Sequence, residues 1–279
     1  MKRSTKRLTG FSTLSPDALL VVCLLTFILA AAAQELNAQT PPKPAERHLY
    51  KIDLKIDFER LTYTGVERVR WVNGGEKSTS IIYFHLYPNL RGGDQQFATN
   101  AATSDSDEPR LDVIEVRSAT DDALLFSSID DQGTTLRINL REPVAPEGAA
   151  EVVIKFKGSV PEIDRDETSL TTHVVKQVSA ALRSDRETRR ARDINFFCRG
   201  VMLLGTAYPV LAVHDGDEWR RKLEPSVGDF IFNETADYEV SVAANAGVEV
   251  FTSGNEAGAK NEKTGQTFTA SALRDFAIL

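Results

Sequence analysis

Histidines are the side chains of this sequence best suited to holding a metal ion, and there are four of them: His48, His85, His173 and His214. No two lie three or four residues apart, so no pair would share one face of a helix, and H-E-x-x-H is absent. His85 falls in a predicted strand and is interpreted as an ordinary sheet residue. We therefore predict no catalytic, cofactor-binding or metal-binding residue in this chain, the alternative being a metal ion held by distant histidines.

Nucleophiles and other motifs give an equally weak signal. Cys198 lies between Phe197 and Arg199 with no histidine close in sequence, which favours a buried structural thiol over a nucleophile. No G-x-S-x-G elbow and no glycine-rich phosphate-binding sequence occurs. The acidic run Asp164 to Glu167 is typical of a solvated loop. Asn233-Glu234-Thr235 is an acceptor sequence for N-glycosylation whose use depends on the host.

The first residues are typical of a targeting segment. Four basic residues precede an apolar run from Ala18 to Ala33 that only Thr26 interrupts. The run is shorter than the ~20 residues that span a bilayer, and Ala31 to Ala33 offers small residues for cleavage. Cys23 lies inside the apolar run, which disfavours lipidation. We expect residues 1–33 to be a signal peptide and the protein to be exported to the periplasm or the cell exterior, the alternative being an uncleaved membrane anchor.

Charge and cysteine content limit the partners and the means of stabilisation. Cleavage would remove four basic residues and Asp17, so the formal net charge would change from −7 to −10. An acidic domain has no electrostatic reason to bind nucleic acid or an anionic membrane surface, and we expect neither as a partner. Cys198 would then be the single thiol, so packing and not a disulfide must hold the fold.

Period-two alternation predicts strands along most of the chain, beginning after a Pro-rich linker at 34–47. Apolar and charged residues alternate from Tyr50 to Phe58, and a second strand follows in which Gly65 is predicted to form a bulge. The strands after the first are predicted at Tyr63–Val72, Ile81–Tyr87, Leu111–Val116, Leu124–Ile129, Thr135–Leu140, Glu151–Phe156, Tyr238–Val242, Val248–Phe251 and Thr267–Ala270. Close spacing with turn residues between them predicts an all-β, antiparallel sandwich over residues 48–279.

One segment has helical periodicity. Between residues 173 and 192 five apolar residues fall on one helical face, and five arginines crowd the far end. We predict a short helical insertion here, with the arginines on a solvated last turn where the helix dipole favours positive charge. The alternative is a basic patch for an anionic partner.

Short pieces of sequence, in order along the chain, resemble the N-terminal domain of the aminopeptidase N family, the gluzincin zinc peptidases of family M1. The pieces are Tyr50-Lys51-Ile52-Asp53-Leu54, Tyr63-Thr64-Gly65, Trp71-Val72-Asn73, Phe84-His85-Leu86-Tyr87-Pro88-Asn89, Tyr208-Pro209-Val210-Leu211-Ala212, Trp219, Gly228-Asp229, Ala236-Asp237-Tyr238-Glu239-Val240 and Arg274-Asp275-Phe276-Ala277. The resemblance extends from Tyr50 to the last residue.

This resemblance implies a saddle-like β-sandwich that packs on a thermolysin-like catalytic domain. In the family that second domain carries the zinc motif, the third glutamate ligand and the G-x-M-E-N strand, and none of these occurs here. Family members can also place an amine-anchoring Gln or Glu before the segment that Tyr208-Pro209 resembles. Neither residue type occurs between Phe196 and Ala207, so that role is not carried over. Zinc is expected only in the missing catalytic domain.

The last residues, Phe276 to Leu279, are apolar and strand-like. Because a free carboxylate at the end of a buried strand is costly, we expect the chain to be a fragment or a prematurely ended gene product, the alternative being an edge strand that stops there. We also expect Val201 to Leu204 and an unpaired terminal strand to leave an apolar face bare.

These observations favour one function over two others. We expect a non-catalytic N-terminal domain of an exported zinc-dependent aminopeptidase, inactive alone. Its partners would be the catalytic domain and, in the full-length protein, peptides. The alternatives are a stand-alone exported β-sandwich binding module without enzymatic activity and an enzyme of unrelated chemistry.

Overall fold

A computed structural model describes residues 46–90, 110–163, 194–216, 218–223, 231–258 and 265–279. The predicted signal peptide, most of the predicted linker and the predicted helical insertion lie outside the described residues, as do His173 and Asp164 to Glu167. None of the helices in the described ranges is both long enough and apolar enough to span a bilayer.

Strands make up nearly all of the regular structure in the described ranges. They are β1 (His48–Asp57), β2 (Thr62–Val72), β3 (Thr79–His85), β4 (Leu111–Ser118), β5 (Phe126–Asp130), β6 (Thr135–Val144), β7 (Ala149–Ser159), β8 (Asn195–Cys198), β9 (Val201–Leu204), β10 (Val210–Leu211), β11 (His214–Asp215), β12 (Glu218–Trp219), β13 (Ala236–Ala243), β14 (Asn255–Glu256) and β15 (Gln266–Leu273). Two short 3-10 turns, Tyr87–Asn89 and Asp131–Gly133, lie among them.

The strands form two larger sheets and two small ribbons. The seven-stranded sheet has the order β14-β15-β13-β1-β2-β7-β4, and the four-stranded sheet has the order β10-β3-β6-β5. β8 pairs with β9, and β11 pairs with β12. The prediction of an all-β, sandwich-like fold is confirmed. It is wrong in one detail, because β1 runs parallel to β13 in the register His48 to Ala236.

Alternation of side chains builds the core between the sheets. β1 and β2 alternate between buried and exposed residues along most of their length, so each presents one apolar face. Inward-facing residues of both sheets join one buried cluster. Ile52 and Ile154 enter it from the seven-stranded sheet, and Ile82 and Ile138 enter it from the four-stranded sheet.

Gly65 does not form the predicted bulge. It pairs with Leu54 on one side and with Phe156 on the other in unbroken register. A Cβ added at Gly65 would lie 2.3 Å from Cζ of the Phe156 ring. The glycine is therefore required by the close approach of this ring. The irregularities of register in this sheet lie elsewhere, between Val113 and Glu115 of β4 and between Ala236 and Tyr238 of β13.

The predicted strands Ile81–Tyr87 and Val248–Phe251 differ from the structure, the first at its end and the second altogether. The predicted strand Ile81–Tyr87 stops at His85, and Pro88, which has no N–H to donate to a sheet, lies in the following 3-10 turn. The predicted strand Val248–Phe251 is not a strand of either sheet, and Thr252 beyond it makes an isolated bridge instead.

Candidate interaction surface

His48 is held in one tautomer by its two neighbours. Its Nδ1 accepts a hydrogen bond from the backbone N–H of Val72 at 3.2 Å, so the proton lies on Nε2, which contacts the carboxylate of Glu234 at 2.9 Å. The pKa of Glu234 is lowered, chiefly by this hydrogen bond. Both ring nitrogens of His48 are thus occupied, one in fastening the start of β1 to the end of β2 and the other in fastening it to the segment before β13.

The other two histidines in the described ranges, His85 and His214, pack against aromatic rings. His85 is buried beside Tyr87 with ring centroids 5.3 Å apart, and burial lowers its pKa to about 4, so it is neutral at neutral pH. His214 packs against Trp219 with ring centroids 4.5 Å apart. Within the ranges that the structure describes, no group of three or more His, Cys, Asp or Glu side chains could hold a metal ion. The histidines described here do not fit a zinc site.

Two further candidates have structural roles. Cys198 is buried at the end of β8, as predicted. Asn233, the acceptor residue of the glycosylation sequence, is only 6% exposed. Its Nδ2 donates to Asp275 at 2.6 Å and its Oδ1 accepts from the Tyr87 hydroxyl at 3.1 Å. Because a glycan would have to be attached to this buried amide nitrogen, the folded chain does not present the sequon for modification.

The residues that carry the family resemblance meet in one buried aromatic cluster. Tyr50 and Tyr238 stack with ring centroids 4.9 Å apart, and Tyr208 lies edge-on to Tyr50 at 6.0 Å and to Tyr238 at 6.3 Å. Phe276 lies 5.6 Å from Tyr238. Segments far apart in sequence are therefore held together by side chains that the resemblance singles out.

Each tyrosine hydroxyl in this cluster also binds a backbone group. The Tyr50 hydroxyl accepts the N–H of Leu211 at 2.9 Å, the Tyr208 hydroxyl accepts the N–H of Phe276 at 3.1 Å, and the Tyr238 hydroxyl donates to the carbonyl of Arg274 at 3.1 Å. Burial raises the pKa of all three phenols above the usual value, so they stay protonated. The cluster therefore fastens β10 and the segment 274–276 to β1 and β13.

Glu67 is a buried group that sequence reasoning missed. It lies on the core side of β2 between Ile52 of β1 and Ile154 of β7, and it is fully buried. Neither carboxylate oxygen has a hydrogen-bond partner in the described part of the chain, and burial raises the pKa of the Glu67 carboxyl well above its usual value. The inward phase of Tyr63 and Val69 on the same strand could have placed Glu67 in the core, had the bulge at Gly65 not been assumed.

The terminal segment 276–279 is not unpaired, which corrects the expectation drawn from the sequence. Ile278 exchanges both backbone hydrogen bonds with Leu204 of β9, and Leu279 exchanges both with Phe251. The segment thus extends the β8–β9 ribbon: residues 276–279 pair with β9, and residues 250–253 pair with their other side. The inner face of this ribbon lies in the core and carries Met202, Leu204, Phe276 and Ile278, each 4% exposed or less.

The outer face of the same ribbon is apolar and exposed. Val201, Phe251 and Leu279 are 47%, 61% and 48% exposed, and Leu203 and Ala277 are half-buried beside them. Residues directly opposite each other on paired strands share a face, and so do alternate residues of one strand. These five residues, which we call the apolar ribbon face, therefore form one surface across three strands.

The outer face of the seven-stranded sheet, unlike the apolar ribbon face, is charged and solvated. Ion pairs cross it between neighbouring strands: Lys51–Glu239 at 2.8 Å, Arg68–Glu151 at 3.2 Å and Lys157–Asp112 at 3.3 Å. Contiguous exposed apolar patches tend to mark interaction sites. The apolar ribbon face is therefore our candidate for the surface that contacts a partner.

Of three comparisons with known proteins, only the comparison with solved structures finds similar proteins. No family model and no curated protein matches the chain. The chain is similar to an M1 zinc metallopeptidase from Deinococcus radiodurans, at 11% identity and a TM-score of 0.42, over 84% of this chain and 42% of that one. A substrate-bound variant of that enzyme gives the same identity and coverage with a TM-score of 0.47. A two-domain M1 zinc metallopeptidase variant bound to L-tryptophan has 11% identity and a TM-score of 0.46, over 85% and 43%. The chain spans less than half the length of these structures.

Proposed function

We propose that this chain is the non-catalytic N-terminal β-domain of an exported zinc-dependent aminopeptidase. In the full-length protein this β-domain would pack on the catalytic domain and shape its peptide cleft. The observation that carries the proposal is the convergence of Tyr50, Tyr208 and Tyr238. Each belongs to a different piece of the sequence that resembles this domain, and all three meet in one buried cluster. Contact among three pieces that are distant in sequence supports their assignment to one domain of this kind.

The chemistry of the described residues agrees with a supporting role. His48 uses both ring nitrogens within the fold, and His85 and Cys198 are buried. A general base or a nucleophile needs a free ring nitrogen or thiol within reach of a substrate, whereas these three side chains are either buried or hydrogen-bonded within the fold. Catalysis is therefore assigned to another domain.

The apolar ribbon face is the proposed contact with that catalytic domain. It offers Phe251 and Leu279 side by side in a directly paired position. Large apolar side chains at the centre of an interface contribute most of the binding free energy when water is excluded from them. The charged outer face of the seven-stranded sheet would have to lose its ion pairs and their hydration to make the same contact.

The test measures both activity and association. The purified full chain should not cleave aminoacyl chromogenic substrates, and it should bind zinc more weakly than about 10⁻⁵ M. It should bind a separately expressed M1 catalytic domain in sedimentation experiments. Phe251→Ser should weaken this association, whereas Phe126→Ser should not, although Phe126 is even more exposed at 69%.

Two results would contradict the proposal. Stoichiometric zinc that survives dialysis, together with turnover lost on chelation, would make the chain an enzyme in its own right. Equal effects of the two phenylalanine variants, or no association at all, would remove the assigned surface and favour a stand-alone binding module.

A further inference from the structure

One edge of the four-stranded sheet has no neighbouring strand in the described part of the chain. β5 is the last strand in the order β10-β3-β6-β5, and it pairs with β6 along all of its five residues in unbroken register. On the side opposite β6, no hydrogen bond from the described ranges reaches the backbone of β5. An edge of this kind presents N–H and C=O groups that another strand can bind.

The direction of the preceding residue identifies these free backbone groups. The amide of Leu125 donates to the carbonyl of Val116 in β4 at 3.0 Å, so it points away from β6. Alternate residues of a strand turn their backbone groups to the same side. The N–H and C=O groups of Ser127 and Ile129 therefore also point away from β6. These two residues leave four hydrogen-bonding groups for another strand.

β5 lacks the features that protect the other sheet edges in the described ranges. Edge strands are usually protected by charge, proline, bulges or short length. β10 and β14 have two residues each, and β4 has an irregular register between Val113 and Glu115 and is partly covered by residues 123–125. β5 has no lysine, arginine or proline. Its exposed side chains are apolar, with Phe126 at 69% and Ile129 at 48%.

The sequence of β5 matches a second copy of itself. Antiparallel pairing about a twofold axis at Ser128 places Ser127 opposite Ile129 of the second copy, and both positions carry the free backbone groups. Ser128 then lies opposite Ser128, and Ile129 packs diagonally on Ile129 of the second copy. Asp130, the only charged residue of β5, lies opposite Phe126, so no like charges face each other.

We propose that the free edge of β5 binds the same edge of a second copy of this chain, so that the two four-stranded sheets join into one continuous sheet. A row of free groups at strand spacing requires the complementary row of another extended backbone. β5 of a second copy provides that row, and a twofold arrangement uses both free edges and closes the assembly at a dimer. The contact is small, so the dimer is weak and its population rises with concentration. The proposal does not depend on the assignment of the chain to a peptidase.

The first test is sedimentation equilibrium of the natural full chain and of the same chain with Phe251→Ser and Leu279→Ser. The dimer should form in both, because the apolar ribbon face does not take part in it. Adding Ser127→Pro to the double variant should raise the dimer dissociation constant by about tenfold or more, since proline removes a donor and blocks the pairing. The sheet should tolerate this proline because the N–H of Ser127 is not used by β6.

A pair of opposite charges tests the position of the twofold axis. Ser128→Lys and Ser128→Glu, each in the double variant, should raise the dissociation constant by about fivefold or more, since like charges would then face each other. An equimolar mixture of these two variants should associate at least as tightly as the double variant, because opposite charges would face each other. Thr269→Lys is the control, since β15 is paired with a strand on each side, and it should leave the constant unchanged.

Three results would each overturn the proposal. They are a double variant that stays monomeric at millimolar concentration, a dimer that Ser127→Pro leaves intact, and a mixture of the lysine and glutamate variants that associates no better than either variant alone. Thermal melts of all variants establish that a loss of association reflects the edge of β5 and not unfolding.

Discussion

At the scale of single residues, Glu67 is the group with the clearest consequence for stability. It is fully buried between isoleucines, without a hydrogen bond to either oxygen in the described part of the chain. An ionised carboxylate in such a place would cost several kcal/mol, so the group stays protonated at pH values where it is ordinarily charged.

Glu67→Gln should therefore change how stability depends on pH. Below the ordinary pKa of 4.5 the carboxyl is protonated in the folded and the unfolded chain alike. As the pH rises above 4.5, the unfolded chain releases this proton and the folded chain keeps it. The free energy of unfolding then falls by about 1.4 kcal/mol per pH unit until the raised pKa is reached. Urea titrations from pH 4.5 to pH 8 should show the variant gaining on the natural chain as pH rises.

The matched control for this measurement is Glu151→Gln. Glu151 is half-buried on the outer face of the seven-stranded sheet in a surface ion pair, so its removal should change the pH profile little. Parallel profiles for the natural chain and Glu67→Gln would mean that Glu67 is already ionised in the folded protein.

Glu67 and Gly65 also illustrate what the sequence could predict about single residues. Alternation along β2 correctly gave a strand, but the assumption of a bulge at Gly65 removed the phase information that places Glu67 inside. The actual reason for Gly65 is the Phe156 ring on β7, which is distant in sequence. A contact of this kind leaves no local signal, whereas the strand period does.

At the scale of elements, the tyrosine cluster fastens short strands that could not form alone. β10 has two residues, and its Leu211 N–H is satisfied by the Tyr50 hydroxyl. Tyr50→Phe would leave this buried N–H without an acceptor and should lower the free energy of unfolding by about 1–3 kcal/mol. Tyr83→Phe is the control: no hydrogen bond of its hydroxyl is seen in the described ranges, and its removal should cost less than about 0.5 kcal/mol. Equal losses in the two variants would show that the hydroxyl of Tyr50 has no tethering role.

Long strands could be predicted from the sequence and short strands could not, because only a long strand shows a period. The long strands β1, β2 and β7 have enough residues for alternation to be recognised, and all three were predicted from the sequence. β8 to β12 have two to four residues each, too few to show a period, and they form because distant side chains hold them in place. The parallel pairing of β1 with β13 joins segments almost 190 residues apart and has no local signature.

At the scale of the whole molecule, export is a property that the predicted signal peptide would confer. Replacing Leu24 and Leu25 with arginine would place two charges in the apolar core of the segment, which is unfavourable for its insertion. Cell fractionation should then find the protein in the cytoplasm. Unchanged export of this variant would show that Ala18 to Ala33 is not the targeting signal. Arginine at Lys2 and at Lys6, which preserves charge, is the control and should leave export intact.

The apolar ribbon face determines how the whole molecule behaves in the absence of a partner. The sequence pointed to two of its strands, Val201 to Leu204 and Phe276 to Leu279, but only alternate residues of each are exposed, because the other residues of these paired strands point inward. The full chain should bind a hydrophobic dye such as ANS, and it should self-associate as its concentration rises. The double variant Phe251→Ser with Leu279→Ser should lose at least half of the dye fluorescence, with little loss of stability because both side chains are largely exposed. Phe126→Ser, at an exposed position on the other sheet, controls for the general loss of a phenylalanine.

A fused catalytic domain should suppress dye binding as effectively as the double variant does. A natural chain that is monomeric, silent towards the dye and cooperative in its melt would instead indicate a surface that needs no cover, which is the behaviour of a stand-alone binding module.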